Sequence, residues 1–591
     1  MINIRIKKIV YANVLIILLL LTSIVSYGQV VYFNGLGRAI VTNDMLKGPV
    51  LDNDVLTPRK ATGGYTLFDL GINAQPDSTI RASVILRVRN EFGGFYGDGA
   101  SLRFRQLRLD GIIAKAIKYD IGDIDVQLSP YTVFNFDESY HKYEAGIFAQ
   151  RRSIVHYENF NFGNKWRVQG VQGASDLKFK SFIENLHIKA FASRIKNADF
   201  LTSSYPDRLL MGGRLEVKQS QFLKVGGNFS RTVDVEFAPN PNLTFLNSDN
   251  KVGTGDARID LGNETFSFSI FGEAGASVTS LDRNFDNFSR KTNGSFYDAG
   301  LSAGHKPLGI KSFLSYKSVS ENFHSPAAQT RRIYDRGVPS IFPDYRPNGN
   351  LTSRTPSLLD RYGDEELVRN QRLRNVTIFD TLMVFDPRFN NISPYGAATP
   401  NRQGLSVGAE FGGTEKLLSA DVKADFLKEL AGTDSTGTRN FTGISGGVSL
   451  NVHQLLDWNK SIVFSIGGRN ERTSRTSDTS RSIGLSSTLA DIGLTVEFIK
   501  DFDLMLGMKF LTADGNEYLT VRNQFNGVDL ARSRAFTVNQ NENVTAAGLR
   551  YRFSKNTYFT AQYHHMVVSN KLATNINYRL NQVFLNYTMV F

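Results

Sequence analysis

Cysteine is missing altogether, which excludes a disulfide framework, a thiol nucleophile, a thiolate metal site and a lipidated N-terminal cysteine. No long apolar run occurs beyond the N-terminus. With a mean hydropathy of -0.23, this excludes a polytopic helical membrane protein. Catalytic signatures are missing too: there is no local nucleophile motif, phosphate loop or zinc spacing. Only His564 and His565 are adjacent histidines, and on a strand they face opposite ways, so they cannot share one metal. Asp52, Asn53 and Asp54 carry oxygens suited to Ca²⁺, but acidic turn residues are far commoner than Ca²⁺ sites. The expectation is no catalytic site, no metal and no cofactor.

The 591 residues carry Lys+Arg 68 against Asp+Glu 56, a formal net charge of +12. Length alone suggests several domains, but all-β barrels exceed that prior as single units. Arg5, Lys7 and Lys8 precede an apolar stretch from Ile9 to Val25, followed by Ser26, Tyr27 and Gly28. A charged start, an apolar core and a small-residue exit read as a secretory signal peptide over 1–28, with the mature chain beginning near Gln29. Export removes nucleic acid from the expected partners despite the basic balance.

Alternation dominates from Gly64 onward. Val583, Leu585, Tyr587, Met589 and Phe591 share one face, and Gln582, Asn586 and Thr588 the other. Ile492, Leu494, Val496 and Phe498 alternate with Asp491, Gly493, Thr495 and Glu497. Leu418 to Phe426 repeats the pattern. One apolar and one polar face suits strands between lipid and water, and also suits a soluble sandwich.

Connection lengths separate the two. Short turns are expected at Gln75–Ser78, Gln219–Gln221, Gly262–Asn263, His305–Leu308, Gly413–Glu415, Ile499–Asp501 and Ser554–Asn556, with His453–Lys460 intermediate. Between them lie longer polar connections: Asn197–Asp207, Val233–Val252, Leu281–Gly294, Glu321–Asn401, Ala431–Arg439, Thr473–Ser482, Ala513–Asn543 and Val567–Ile576. Barrels with tight periplasmic turns and long outer loops sort their connections by parity, and sandwiches have no reason to. The expected fold is an all-β transmembrane antiparallel β-barrel of about 22 strands, range 20–24, with both termini periplasmic. It occupies 29–591, carries an outer insert at 321–401, and has too little chain before its first strand, near Gly35–Asn43, for an N-terminal plug domain.

With its signal peptide, Tyr and Phe girdles and a terminal strand ending in Phe591, the chain resembles Gram-negative outer-membrane β-barrel proteins. The many Asn, Tyr and Phe are similar to those of the Bacteroidota. The resemblance implies an outer-membrane location, a lipid environment, and Phe591 as a signal for the barrel-assembly machinery. TonB-dependent transporters have a similar strand number, but their large N-terminal plug has no counterpart here.

Arginines form the most informative constellation. Arg81, Arg87 and Arg89 oppose Ile80, Val84, Leu86 and Val88, and Arg103 and Arg105 oppose Leu102 and Phe104. The phase then slips, so that Arg108 and Asp110 oppose Leu107 and Leu109, as a β-bulge would produce. Arginine on the lipid face costs several kcal/mol, so these side chains point into the lumen. Arg550 and Arg552 are expected to join the same wall on closure. Such a basic patch would concentrate anions. The competing reading pairs these arginines with luminal carboxylates such as Glu91 and Asp110.

The insert 321–401 holds eight of the 16 prolines and the arginines Arg331, Arg332, Arg336, Arg369, Arg372 and Arg374. A loop this long reads as functional, either an infolded constriction or a docking lid. The preferred function is a channel or uptake porin for a small polar solute, with a basic lumen favouring anions. The alternative is a non-enzymatic accessory or structural subunit of an outer-membrane secretion or assembly complex, with other outer-membrane subunits as partners.

Overall fold

The computed structural model describes residues 30–591 except 53–58, 93–99, 137–141, 159–162, 181, 197–206, 236–245, 284–287, 330–338, 341–352, 355–386, 389, 413–415, 433–436, 457, 477–480 and 523–527. The expected signal peptide over 1–28, Asn53, Asp54 and the insert arginines Arg331, Arg332, Arg336, Arg369, Arg372 and Arg374 lie outside the described residues.

One closed antiparallel sheet of 22 strands forms the wall. The first quarter is β1 (Val30–Lys47), β2 (Lys60–Asp77), β3 (Ile80–Glu91), β4 (Ala100–Ile113) and β5 (Ile117–Val126). Then come β6 (Trp166–Lys178), β7 (Asn185–Lys196), β8 (Asp207–Lys218), β9 (Leu223–Val235), β10 (Leu246–Gly262) and β11 (Phe266–Arg283). After β12 (Phe288–His305) and β13 (Ile310–Val319) the insert intervenes, followed by β14 (Arg402–Phe411), β15 (Leu418–Lys428) and β16 (Asn440–Asn451). The last six are β17 (Ile462–Arg475), β18 (Ile483–Ile499), β19 (Phe502–Arg522), β20 (Val528–Ser554), β21 (Thr557–Asn570) and β22 (Tyr578–Val590).

Each strand pairs with its sequence neighbour, and β1 pairs with β22 from Leu36↔Val590 to Lys47↔Arg579. That seam abolishes the sheet edges. Phe591 finishes it, exchanging backbone hydrogen bonds of 2.9 and 3.1 Å with Gly35 and stacking on Phe68 at 5.6 Å.

Alternation sorts the two faces. Val583 and Tyr587 are exposed outward, whereas Gln582, Asn586 and Thr588 are buried inward. Leu102, Phe104, Leu107 and Leu109 are likewise exposed, and the register between β3 and β4 slips between Ile85 and Leu86, leaving Arg105 as the extra residue. This is the bulge that the phase change implies. A closed sheet with an apolar outer belt is a multi-pass membrane β-barrel of the outer-membrane type.

Long connections and short turns fall on opposite rims, with both described chain ends on the short-turn rim. Two expected loops turn out to be largely strand. β19 runs to Arg522 and β20 starts at Val528, so 513–543 is mostly a hairpin, and 281–294 shrinks to the connection between β11 and β12. Their polar residues suggest loop, but ladder hydrogen bonds continue above the hydrocarbon layer, where both faces of a strand can be polar.

Candidate functional site

Between β5 and β6, at the long-loop rim, the described residues 127–136, 142–158 and 163–165 turn back into the lumen. Parity alone assigns no element there. Their central helix, α1 (Gly146–Glu158), spans about 20 Å at 1.5 Å per residue. Ile147, Phe148, Arg151, Ile154 and Glu158 form its buried stripe, while Gly146 and Ser153 are exposed. The stripe has helical spacing and lies against the barrel wall rather than a second helix.

Glycines at inward-facing wall positions make its seat. A Cβ on Gly507 would lie 2.5 Å from Ile147 Cγ2 and 2.9 Å from Phe148 Cε2. One on Gly493 would lie 2.7 Å from Ala145 Cα, and one on Gly447 2.9 Å from the Tyr143 ring. Only glycine permits this approach. Met505, Val544, Ala546 and Met566 complete an apolar contact with Ile147 and Phe148.

Both ends of α1 meet wall charges of the sign its dipole favours. At the N-terminal end the Ala145 N–H donates to Asp491 Oδ1 at 2.8 Å. Lys509 lies 3.2 Å from Asp491 Oδ2 and binds Glu144, which also accepts two bonds from Arg152 at 2.8 and 2.7 Å. Burial alone would raise the Glu144 pKa, but Arg152 and Lys509 hold it well below the usual carboxylate range.

At the C-terminal end the predicted arginines gather. Arg87 grips Asp69 through two bonds of 2.7 and 2.9 Å and donates to the Glu158 carbonyl at 3.1 Å. Arg105 donates to the Tyr157 carbonyl and lies 3.6 Å from Asp69. Arg38, on β1, donates to the Glu158 carboxylate at 2.5 Å, and Tyr65 adds bonds of 2.8 and 2.9 Å. Arg89 pairs with Glu91 at 2.5 Å and stacks over Tyr65 at 4.0 Å. The Tyr157 ring lies 4.3 Å from the Arg105 guanidinium, and its hydroxyl donates to Asp69 at 2.6 Å.

These positions correct the picture of an open basic patch. Arg87, Arg89, Arg103 and Arg105 do share the β3–β4 wall, with Arg103 opposite Arg87 in register. Arg87 and Arg105, however, are buried beneath the helix terminus and hold its last carbonyls. Arg81 pairs with Asp110 at 3.0 Å, so Glu91 and Asp110 are both partners, as the competing reading names them. Arg550 and Arg552 form a separate cluster: Arg550 bonds Asp503 and Arg552 bonds Glu497, each at 2.7 Å. They lie on β20, separated from β3 by β21, β22, β1 and β2.

Nearer the long-loop rim, the start of the same connection packs on inward residues of the opposite wall. Tyr131 stacks on Phe296 at 3.8 Å and donates to Asp298 at 2.8 Å. Phe323, Ala327, Ala328 and Ala398, from the described ends of the insert, join these clusters, so those ends fold inward.

The lower β4–β15 wall keeps solvent contact. Arg108 binds Asp120, and Arg214 bonds Asp256 through contacts of 2.6 and 2.8 Å. Their side chains remain between 16% and 23% exposed. Lys423–Asp425, at 2.9 Å, continues this mixed-sign surface. Among the described residues no group of acidic and histidine side chains has the geometry to hold a metal.

No family model and no curated protein matches the chain. Solved structures similar to it include a BenF-like porin from Pseudomonas fluorescens Pf-5, at 10% identity and TM-score 0.31, covering 95% of this chain and 99% of that one. The outer membrane channel DcaP of Acinetobacter baumannii gives 11% and 0.28, over 95% and 98%. The unliganded ferric citrate transporter FecA gives 8% and 0.47, over 94% and 79%.

Proposed function

We propose that this protein is an outer-membrane channel for small polar solutes, whose path runs between the open face of α1 and the β4–β15 wall. The observation that carries this reading is the unequal lumen: ion pairs beneath the helix are dry, while Arg108–Asp120 and Arg214–Asp256, low on the wall away from it, keep contact with water. A purely structural barrel would not need a wet polar stripe beside its filling. The stripe carries both signs, and the arginines on β3 and β4 are engaged by carboxylates and by the helix terminus. The path therefore suits polar solutes without a strong preference for anions.

Planar-bilayer recording on the purified protein tests it. Small, steady conductance with weak ion selectivity is the expected result. Silence from folded, inserted protein would overturn it and favour a non-conducting subunit.

A further inference from the structure

Ten turns close the short-turn rim, and seven of them carry an exposed lysine: Lys115, Lys180, Lys306, Lys416, Lys460, Lys500 and Lys555. None carries an arginine, although arginine dominates the luminal ion pairs. Among the described residues, none of the seven ammonium groups forms a close salt bridge with a carboxylate. Those of Lys306, Lys416 and Lys460 donate to the carbonyls of Asn263, Pro307 and Phe498 at 2.7, 3.4 and 2.6 Å. Lysine is a compact charge on a long apolar stem, suited to reach from a hydrocarbon boundary toward phosphate.

Large apolar side chains stand between these lysines. Phe182, Leu308 and Phe553 are mostly exposed on their turns or beside them. The connection between β16 and β17 is the longest on this rim and begins with a short helix, Val452–Leu455. It leaves Leu455, Leu456 and Trp458 each more than half exposed. The row continues into Phe498 and Ile499, which extend the lipid-facing belt of β18 to its end. Apolar groups beside the lipid-facing belt, with a lysine on seven of the ten turns, match a bilayer interface. A docked protein would need a cluster on one side.

We propose that the short-turn rim is a collar for the headgroups of anionic glycerophospholipids, with Leu455, Leu456 and Trp458 inserted beside them. The chain has two tryptophans, and Trp166 is buried against Ala327 at the opposite rim. A W166F protein thus reports Trp458 alone. In nanodiscs of phosphatidylcholine with phosphatidylglycerol, its emission should be quenched by lipid spin-labelled near the headgroup and only weakly by aqueous acrylamide. Spin-labelled phosphatidylglycerol should associate several-fold more strongly than phosphatidylcholine. Added salt should erase that preference, and so should the combined K416Q, K460Q, K500Q and K555Q substitutions.

Full acrylamide access to Trp458 would overturn the proposal and leave the rim as a face for a soluble partner. Equal association of the two lipids with the unsubstituted protein would overturn it as well. A preference insensitive to salt would do the same, and this measurement does not depend on the lysine variant folding.

Discussion

Beneath α1, luminal ion pairs are dry: the side chains of Arg87 and Asp69 are 5% and 2% exposed, and those of Lys509 and Asp491 are 1% and 0%. Low on the wall away from the helix, Arg214–Asp256, a pair of the same chemistry between β8 and β10, leaves more than a fifth of each side chain in contact with solvent. The residue types are shared, and what differs is the cover. Where α1 lies on the wall, ion pairs become the attachment of the helix. Where it does not, they remain a polar lining. Desolvated pairs are costly to break singly, because the remaining charge is stranded, whereas wetter pairs are cheap to lose.

The largest effect should come from Asp69→Asn. It removes the carboxylate partner of Arg87 and Arg105 and weakens the Tyr157 hydrogen bond. A loss of about 3–5 kcal/mol is expected for a buried pair broken on one side. The heat-induced gel shift of the barrel should move to lower temperature, and conductance should rise as the helix terminus loosens. The double variant R87Q/R105Q should behave similarly. A shift toward cation preference with full stability would instead show that these arginines face an open pore.

Gly507→Leu tests the seat rather than the charges. The new side chain would occupy the space of Ile147 and Phe148. Overpacking of this kind costs about 1–3 kcal/mol. Unseating α1 should raise conductance with the outer face unchanged. Unaltered conductance in a folded variant would mean that the helix does not border the path.

In the wetter half, Arg214→Gln together with Asp256→Asn should cost less than about 1 kcal/mol. Its effect should fall on ion selectivity and leave thermal stability nearly unchanged. Cysteine reporters sharpen the contrast, since the chain has no thiol of its own. Positions 214 and 423 should react with membrane-impermeant reagents. Positions 582 and 586 face inward but are buried, so they should react slowly. Equal rates on both walls would erase the distinction between the two halves.

Much of the wall is legible in the sequence because alternation and parity are local. Gln582, Asn586 and Thr588 point inward, and Val583 and Tyr587 point outward. The slip near Arg105 shows in the phase of Leu102 and Phe104 against that of Leu107 and Leu109. The lumen is not legible in this way. Facing inward fixes which side a charge lies on, but whether it meets water depends on chain far away in sequence. Arg87 and Asp69 meet Tyr157 and Glu158 only through folding of 127–165. Signals for that segment exist. The buried stripe from Ile147 to Glu158 has helical spacing, and Gly447, Gly493 and Gly507 occupy inward positions where a wet lumen needs no glycine.

The smallest effect concerns pH at the other end of α1. Burial opposes ionisation of Glu144, but Arg152 and Lys509 overrule it and hold its pKa well below the ordinary value. A carboxyl whose folded pKa is depressed stabilises the docked helix fully above its unfolded pKa, near 4.3 for glutamate. That stabilisation declines only as pH falls toward the lower folded value. Conductance should therefore stay flat from pH 8 to about 5 and rise only in stronger acid, beginning near the unfolded glutamate value. In Glu144→Gln this acid-dependent rise should shrink, because Arg152 and Lys509 lose the Glu144 carboxylate at every pH. A rise centred near pH 6 in the unsubstituted protein would break the assignment.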